Sequence, residues 1–162
     1  MKRIAVLGSG LLGGSIALAV QSRLPDTAVT LWGRRVEGVA DARAQGVKEA
    51  TTELADAVRD ADILILASPV GAMLEILKAA TETRSLQGVI VTDVGSVKLT
   101  PREMLGDVVR DAGARYVGSH PMAGSEQAGV RAAREDLFEG AACVMTNDFN
   151  HPEDDVDRKS VV

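Results

Sequence analysis

Two groups of residues in this chain have the types and spacing that chemistry requires. The first is Gly8-Ser9-Gly10-Leu11-Leu12-Gly13, a G-x-G-x-x-G turn between the apolar run Ile4–Leu7 and a helical pattern that contains Leu18 and Val20. In such a turn the first glycine permits a tight reversal. The second lets the backbone approach a pyrophosphate, and the third lets the helix pack closely on the strand. The phosphates then meet the free N–H groups at the helix start. About twenty residues after the first glycine, an NAD-binding unit places an Asp or Glu on the ribose hydroxyls. Here that stretch reads Trp32-Gly33-Arg34-Arg35. The carboxylate that would repel a 2′-phosphate is missing, and an arginine able to bond that phosphate bidentately follows at once. The expectation is NADP in preference to NAD, with Arg34 a better candidate than Arg35. The alternative is a solvated arginine pair and a pocket that takes either dinucleotide. Ser68-Pro69-Val70 starts a further helix and is expected to line the nicotinamide half of the cofactor. A plain helix-starting Ser-Pro is the other reading of those side chains.

The second group comprises Thr92-Asp93-Val94-Gly95-Ser96-Val97-Lys98 and Val117-Gly118-Ser119-His120-Pro121-Met122-Ala123-Gly124-Ser125-Glu126. Each follows a strand-like run. Small residues keep both loops tight, while Ser96, Lys98, His120, Ser125 and Glu126 bring polar groups toward one cleft. An imidazole titrating near neutrality can accept the proton of a substrate hydroxyl as hydride leaves the same carbon, with Ser96 as the candidate orienter. Against this, a lone histidine is usually structural. Lys98 also suits a surface position in a helix's first turn, and Glu126 suits a helix-start acid. His151 lies in a polar tail. One cysteine and two well-separated histidines make no recognisable metal site.

The elements that must position these groups are legible as alternating patterns. Residues 3–7, 29–32, 63–67, 89–92, 115–117 and 141–145 read as strands, most of them too apolar to face water. Segments 11–23, 36–44, 70–80, 99–111 and 127–138 read as helices. Strands buried on both faces belong to parallel sheets covered by helices. The fold class is therefore α/β, a Rossmann-type doubly wound, mostly parallel sheet with helices on both faces and its loops of interest at the carboxyl edge. In 162 residues there is room for one such domain, expected over residues 1–147. Residues 148–162 lose apolar periodicity and read as a polar linker. The formal net charge of −5 argues against a nucleic-acid partner. The basic, apolar start resembles a secretory signal, but Gly8, Gly10, Gly13 and Gly14 interrupt it, so a cytoplasmic protein with no membrane partner is expected. Cys143 is expected to be buried and inert.

The stretch GSHPMAGSEQAGVRAAREDLFEGAACVMT, with GSGLLGGSIA at the start and VTDVGSVK between, resembles the prephenate dehydrogenase family, which includes arogenate and cyclohexadienyl dehydrogenases. The resemblance runs from residue 3 to about residue 146. The glycine turn discriminates weakly, whereas His-Pro-Met-Ala-Gly-Ser-Glu followed by Asp-Leu-Phe-Glu-Gly is far more specific. It implies NAD(P)-dependent oxidative decarboxylation of prephenate or arogenate in tyrosine biosynthesis. His120 matches the family's catalytic histidine, Ser96 its serine near the nicotinamide and the substrate hydroxyl, and Glu126 its acid at the active-site mouth, with Ser125 beside it. Both of the last two are expected to face substrate or a partner domain. Family members continue into a helical domain that supplies dimer contacts and an arginine for a substrate carboxylate. By this resemblance residues 148–162 are a polar linker and the start of that helical domain, with Val156 to Val162 as the beginning of its linking helix; a chain ending at Val162 thus reads as a shortened form, with the homodimer expected of the full-length protein. Two rivals stay open: another small hydroxyacid dehydrogenase with the same N-terminal fold, and a dinucleotide-binding module without chemistry.

Overall fold

Successive residues of the central strands enter different hydrophobic cores. In β1 (Lys2–Leu7), Ile4 and Val6 join one cluster, while Ala5 and Leu7 join another on the opposite face. In β4 (Ile63–Leu66), Ile63 and Ile65 separate from Leu64 and Leu66 in the same way. A strand buried on both faces must be apolar at every position, which is why these segments read as continuous apolar runs. Each fully buried Leu or Ile contributes roughly 1.5–3 kcal/mol relative to exposure.

The structure, a computed structural model, describes residues 2–96 and 99–146. β1 and β4 are the centre of a six-stranded parallel sheet with β2 (Thr27–Trp32), β3 (Ala50–Thr51), β5 (Ile90–Asp93) and β6 (Arg115–Tyr116), in the order β3-β2-β1-β4-β5-β6. The order reverses between β1 and β4, so the crevice at their carboxyl ends is the switch point where such sheets take ligands. Helices α1 (Leu11–Arg23) and α2 (Val36–Ala44) cover one face. Helices α3 (Leu54–Val58), α4 (Val70–Thr83) and α5 (Leu99–Asp111) cover the other.

The structure departs from the sequence reading in five places, the first being Gly118–Pro121, which reads as loop and forms a strand, β7. β3 and α3 were not anticipated; at two and five residues they are too short to impose a periodicity. Residues 127–138 do not form a helix. They hold a single 3-10 turn, Val130–Ala132, entered through Gly129 at φ 86° and left through Ala133 in extended conformation. Val130 and Ala133 are instead buried against α1, where an added Cβ on Gly14 would meet Val130 Cγ2 at 2.7 Å and Ala133 Cβ at 2.8 Å. Tertiary packing overrides a helical composition there. The last strand, β8 (Cys143–Thr146), lies outside the main sheet, paired antiparallel with β7 (Gly118–Pro121). Cys143 is consequently exposed, not buried. Residues 147–162, which include His151 and the expected linker, lie outside the described residues, as do Val97 and Lys98. Among the described residues no helix is long and apolar enough to cross a membrane.

Candidate functional site

The carboxyl ends of β1 and β4 meet through glycine. Gly8 follows β1 with φ 144°, and a Cβ there would fall 2.4 Å from the Ala67 carbonyl oxygen. Its amide donates to the Trp32 carbonyl at 2.9 Å, so the turn is also tied to the end of β2. At Gly13 a Cβ would stand 1.9 Å from the Gly8 carbonyl oxygen, which fixes how closely α1 approaches the turn. Gly10 differs from both: a Cβ would meet nothing within 4 Å. It is the extended N-cap residue of α1, with no side-chain cap and no acidic residue in the helix's first turn. The leading amides of a helix lack intrahelical partners and carry partial positive charge. Leu11 and Leu12, half-buried, begin that first turn. Open space over uncapped amides in a 13-residue helix is a cradle of the shape and polarity a pyrophosphate needs.

Ser9 packs the neighbouring wall. Its Oγ would be 2.4 Å from a Cβ on Gly33 and 2.9 Å from one on Gly38, so it sits between the turn after β2 and the start of α2. Gly33 is buried, and its amide donates to the Thr51 carbonyl at 3.0 Å. Arg34 and Arg35 come next, both exposed, with Arg35 as the N-cap residue of α2. Among the described residues neither guanidinium makes a hydrogen bond or an ion pair. Across the switch point, Ser68 follows β4, Pro69 is the exposed N-cap residue of α4, and Val70 begins that helix partly buried. The Ser68 Oγ is buried without a hydrogen-bond partner. A buried hydroxyl is seldom left so, and a bound polar ligand would satisfy it.

The second group gathers beyond β4. Ser96 is exposed on the turn after β5, and His120 is half-buried in β7, opposite Val144 of β8. Among the described residues no hydrogen bond joins the two. Their neighbours do the joining: the Ser119 hydroxyl donates to the Asp93 main-chain oxygen at 2.6 Å and lies 3.2 Å from Thr92 Oγ1. β7 is thereby held at the carboxyl end of β5. Ser125 and Glu126 stay on the exposed loop after Pro121, and the Ser125 hydroxyl accepts the Gln127 amide at 3.1 Å in a local turn. No group of three or more His, Cys, Asp or Glu among the described residues could hold a metal ion.

Sequence reading passed over Thr92, Asp93, Tyr116 and Ser119, which are buried and share this network. The available signal was Asp93 itself, an acid ending the apolar run Val89-Ile90-Val91-Thr92. An acid seldom becomes fully buried unless its oxygens are bonded.

Residues 16–159 match the family described as prephenate dehydrogenase, nucleotide-binding domain. The chain is 37% identical over 149 residues to a prephenate dehydrogenase of Lactococcus lactis, covering 91% of this chain and 42% of that protein. It is 38% identical over 153 residues to a cyclohexadienyl dehydrogenase of Zymomonas mobilis, covering 93% and 51%. Among solved structures it resembles the Aquifex aeolicus prephenate dehydrogenase in complex with hydroxyphenyl propionate and NAD+. The TM-score is 0.84 at 29% identity, covering 99% of this chain and 56% of that one. The chain thus spans about half the length of the proteins it matches.

Proposed function

Because the chain belongs to the prephenate dehydrogenase family, we propose that it is the dinucleotide-binding half of an enzyme that oxidatively decarboxylates prephenate or arogenate in tyrosine biosynthesis. NADP is the preferred cofactor and NAD the lesser one. When bound, the nicotinamide accepts hydride. The glycine turn Gly8-Ser9-Gly10-Leu11-Leu12-Gly13 holds the pyrophosphate at the start of α1. Gly33 admits the ribose beside Ser9, and Arg34 and Arg35 offer uncommitted guanidiniums to a 2′-phosphate. Ser68, Pro69 and Val70 line the nicotinamide half, with the Ser68 hydroxyl gaining there the partner it otherwise lacks.

His120 takes the proton of the substrate's ring hydroxyl as hydride leaves the same carbon. The carbon–carboxylate bond then breaks, carbon dioxide departs, and its electron pair passes into the ring, which becomes aromatic. The oxygen that gave up its proton ends as a phenol or phenolate. Ser96 orients the hydroxyl, while Ser125 and Glu126 face the mouth. A second, helical half of the full-length homodimer supplies the rest of the cleft and a clamp for the substrate carboxylate. The cytoplasm is the compartment we assign.

The observation that carries this reading is that the open cradle at Gly10 follows β1 at the carboxyl edge of the six-stranded sheet, and that Ser119 ties the His120 strand to the end of β5 at that same edge. The test is titration of the protein with NADP and NAD, followed by prephenate and arogenate, recording binding and reduced-cofactor absorbance. The reading requires tighter binding of NADP and reduction of cofactor by one of the two substrates in the full-length protein. Cofactor binding with no reduction by either substrate favours a binding module instead.

A further inference from the structure

Asp93 ends β5 with no exposed surface, and its bonds lead outward to both loops of the second group. Its Oδ1 accepts the Gly95 amide at 2.8 Å, and its Oδ2 accepts the Tyr116 hydroxyl at 2.5 Å. Its main-chain oxygen accepts the Ser119 hydroxyl at 2.6 Å. Gly95 immediately precedes Ser96, and Ser119 immediately precedes His120. The side-chain bond to an amide two residues on is an Asx-type turn, a local device that fixes the path of the chain after an Asp. Tyr116 is itself buried in β6, so it anchors the carboxyl group from the rigid sheet rather than from a loop.

We infer that Asp93 is a positioning residue, holding the Ser96 turn through its carboxyl group and the His120 strand through its carbonyl, so that one buried residue sets the spacing of both. This inference rests on the proposed roles of Ser96 and His120. Asp93 has no exposed surface and acts by geometry. Displacing a reacting group by about 1 Å can cost 10²-fold in rate, so a small pivot at residue 93 is read out in turnover before it is read out in binding.

The test uses the full-length protein and three variants that leave Ser96 and His120 in place. Tyr116→Phe removes the hydroxyl bond to Oδ2, Ser119→Ala removes the hydroxyl bond to the Asp93 carbonyl, and Ser119→Thr keeps the hydroxyl. The first two should lower kcat about tenfold or more while substrate KM and dinucleotide Kd change by no more than about twofold, and Ser119→Thr should recover most of the loss. Amide hydrogen exchange supplies a readout independent of turnover: Tyr116→Phe should speed exchange at both Gly95 and His120 relative to the amides of α1. Unchanged kcat, or kcat and KM shifting together in step with the melting temperature, overturns the inference. If the wild-type protein turns over neither prephenate nor arogenate, the proposed reaction fails by itself. Exchange then decides alone: joint loss of protection at Gly95 and His120 supports the inference, and unchanged exchange overturns it.

Discussion

Arg131 holds Asp41 through two bonds, from Nε to Oδ2 at 2.9 Å and from Nη2 to Oδ1 at 3.0 Å. The pair joins the segment that follows His120 to α2, the helix that opens at Arg35. An ion pair between Arg23 and Glu139 and a bond from the Arg134 amide to Ser15 Oγ at 3.1 Å tie the same segment to α1. Hydrogen bonding to Asp41, and secondarily its charge, raises the Arg131 pKa further above its already high ordinary value, so this cation persists at every pH of interest. The loop bearing Ser125 and Glu126 is therefore bracketed, by the bond from Ser119 of β7 to β5 at one end and by the α1–α2 face at the other.

Arg131→Ala should leave global stability nearly intact, because solvent screens an exposed pair and leaves it little net contribution. Its effect should be local. Amide exchange between residues 122 and 133 should accelerate while exchange in β1 and β4 does not. Uniform exchange across the protein would show that the pair fastens nothing.

Gly14→Ala probes the same bracket from the helix side. The new methyl group meets Val130 and Ala133 at 2.7–2.8 Å, so that segment must lift from α1. Overpacking of this kind costs about 1–3 kcal/mol, measured by denaturant unfolding. A variant as stable as the parent would mean the 130–133 segment packs loosely.

Gly10 and Gly13 should respond in opposite ways to one methyl group. Gly13→Ala collides with the Gly8 carbonyl and should unfold or strongly destabilise the protein. At Gly10 the space is open, so Gly10→Ala should melt within about 1 kcal/mol of the parent, allowing for glycine's helix-start preferences. It should nevertheless bind dinucleotide poorly, since the methyl group occupies the cradle. Calorimetric titration beside thermal unfolding separates the two; normal binding by Gly10→Ala would move the pyrophosphate elsewhere.

Arg34→Ala should discriminate between cofactors. Hydrogen bonds to charged groups contribute about 1.5–3 kcal/mol, so NADP should bind roughly tenfold to a hundredfold more weakly while NAD binding holds. Arg35→Ala should show a smaller effect of the same sign. Equal losses for both dinucleotides would assign the arginines to a part of the site that the two cofactors share.

What the sequence made legible follows from periodicity and sterics. Ile4–Leu7 and Ile63–Leu66 announced themselves because two-sided burial leaves no polar position. Gly8 and Gly13 did so because each is in a place where a side chain cannot fit. What stayed hidden depends on contacts distant along the chain. Residues 127–138 carry helix formers, yet Val130 and Ala133 gain more by packing on Gly14 than by continuing a helix, and nothing local reports that. Cys143 read as buried in an apolar run that pairs with β7 instead of joining the main sheet. Asp93 was hidden differently, because its partners Tyr116 and Ser119 lie 23 and 26 residues away.

The claim on which the account turns is that His120 accepts the proton of the hydroxyl on the carbon that loses hydride. The most direct measurement compares reduced-cofactor formation by the full-length protein and its His120→Asn variant, with dinucleotide binding followed in parallel. The account predicts unchanged cofactor affinity and turnover lower by about 10²- to 10⁴-fold, the contribution typical of a positioned general base. Turnover that survives the substitution would contradict it and pass the proton-accepting role to another residue.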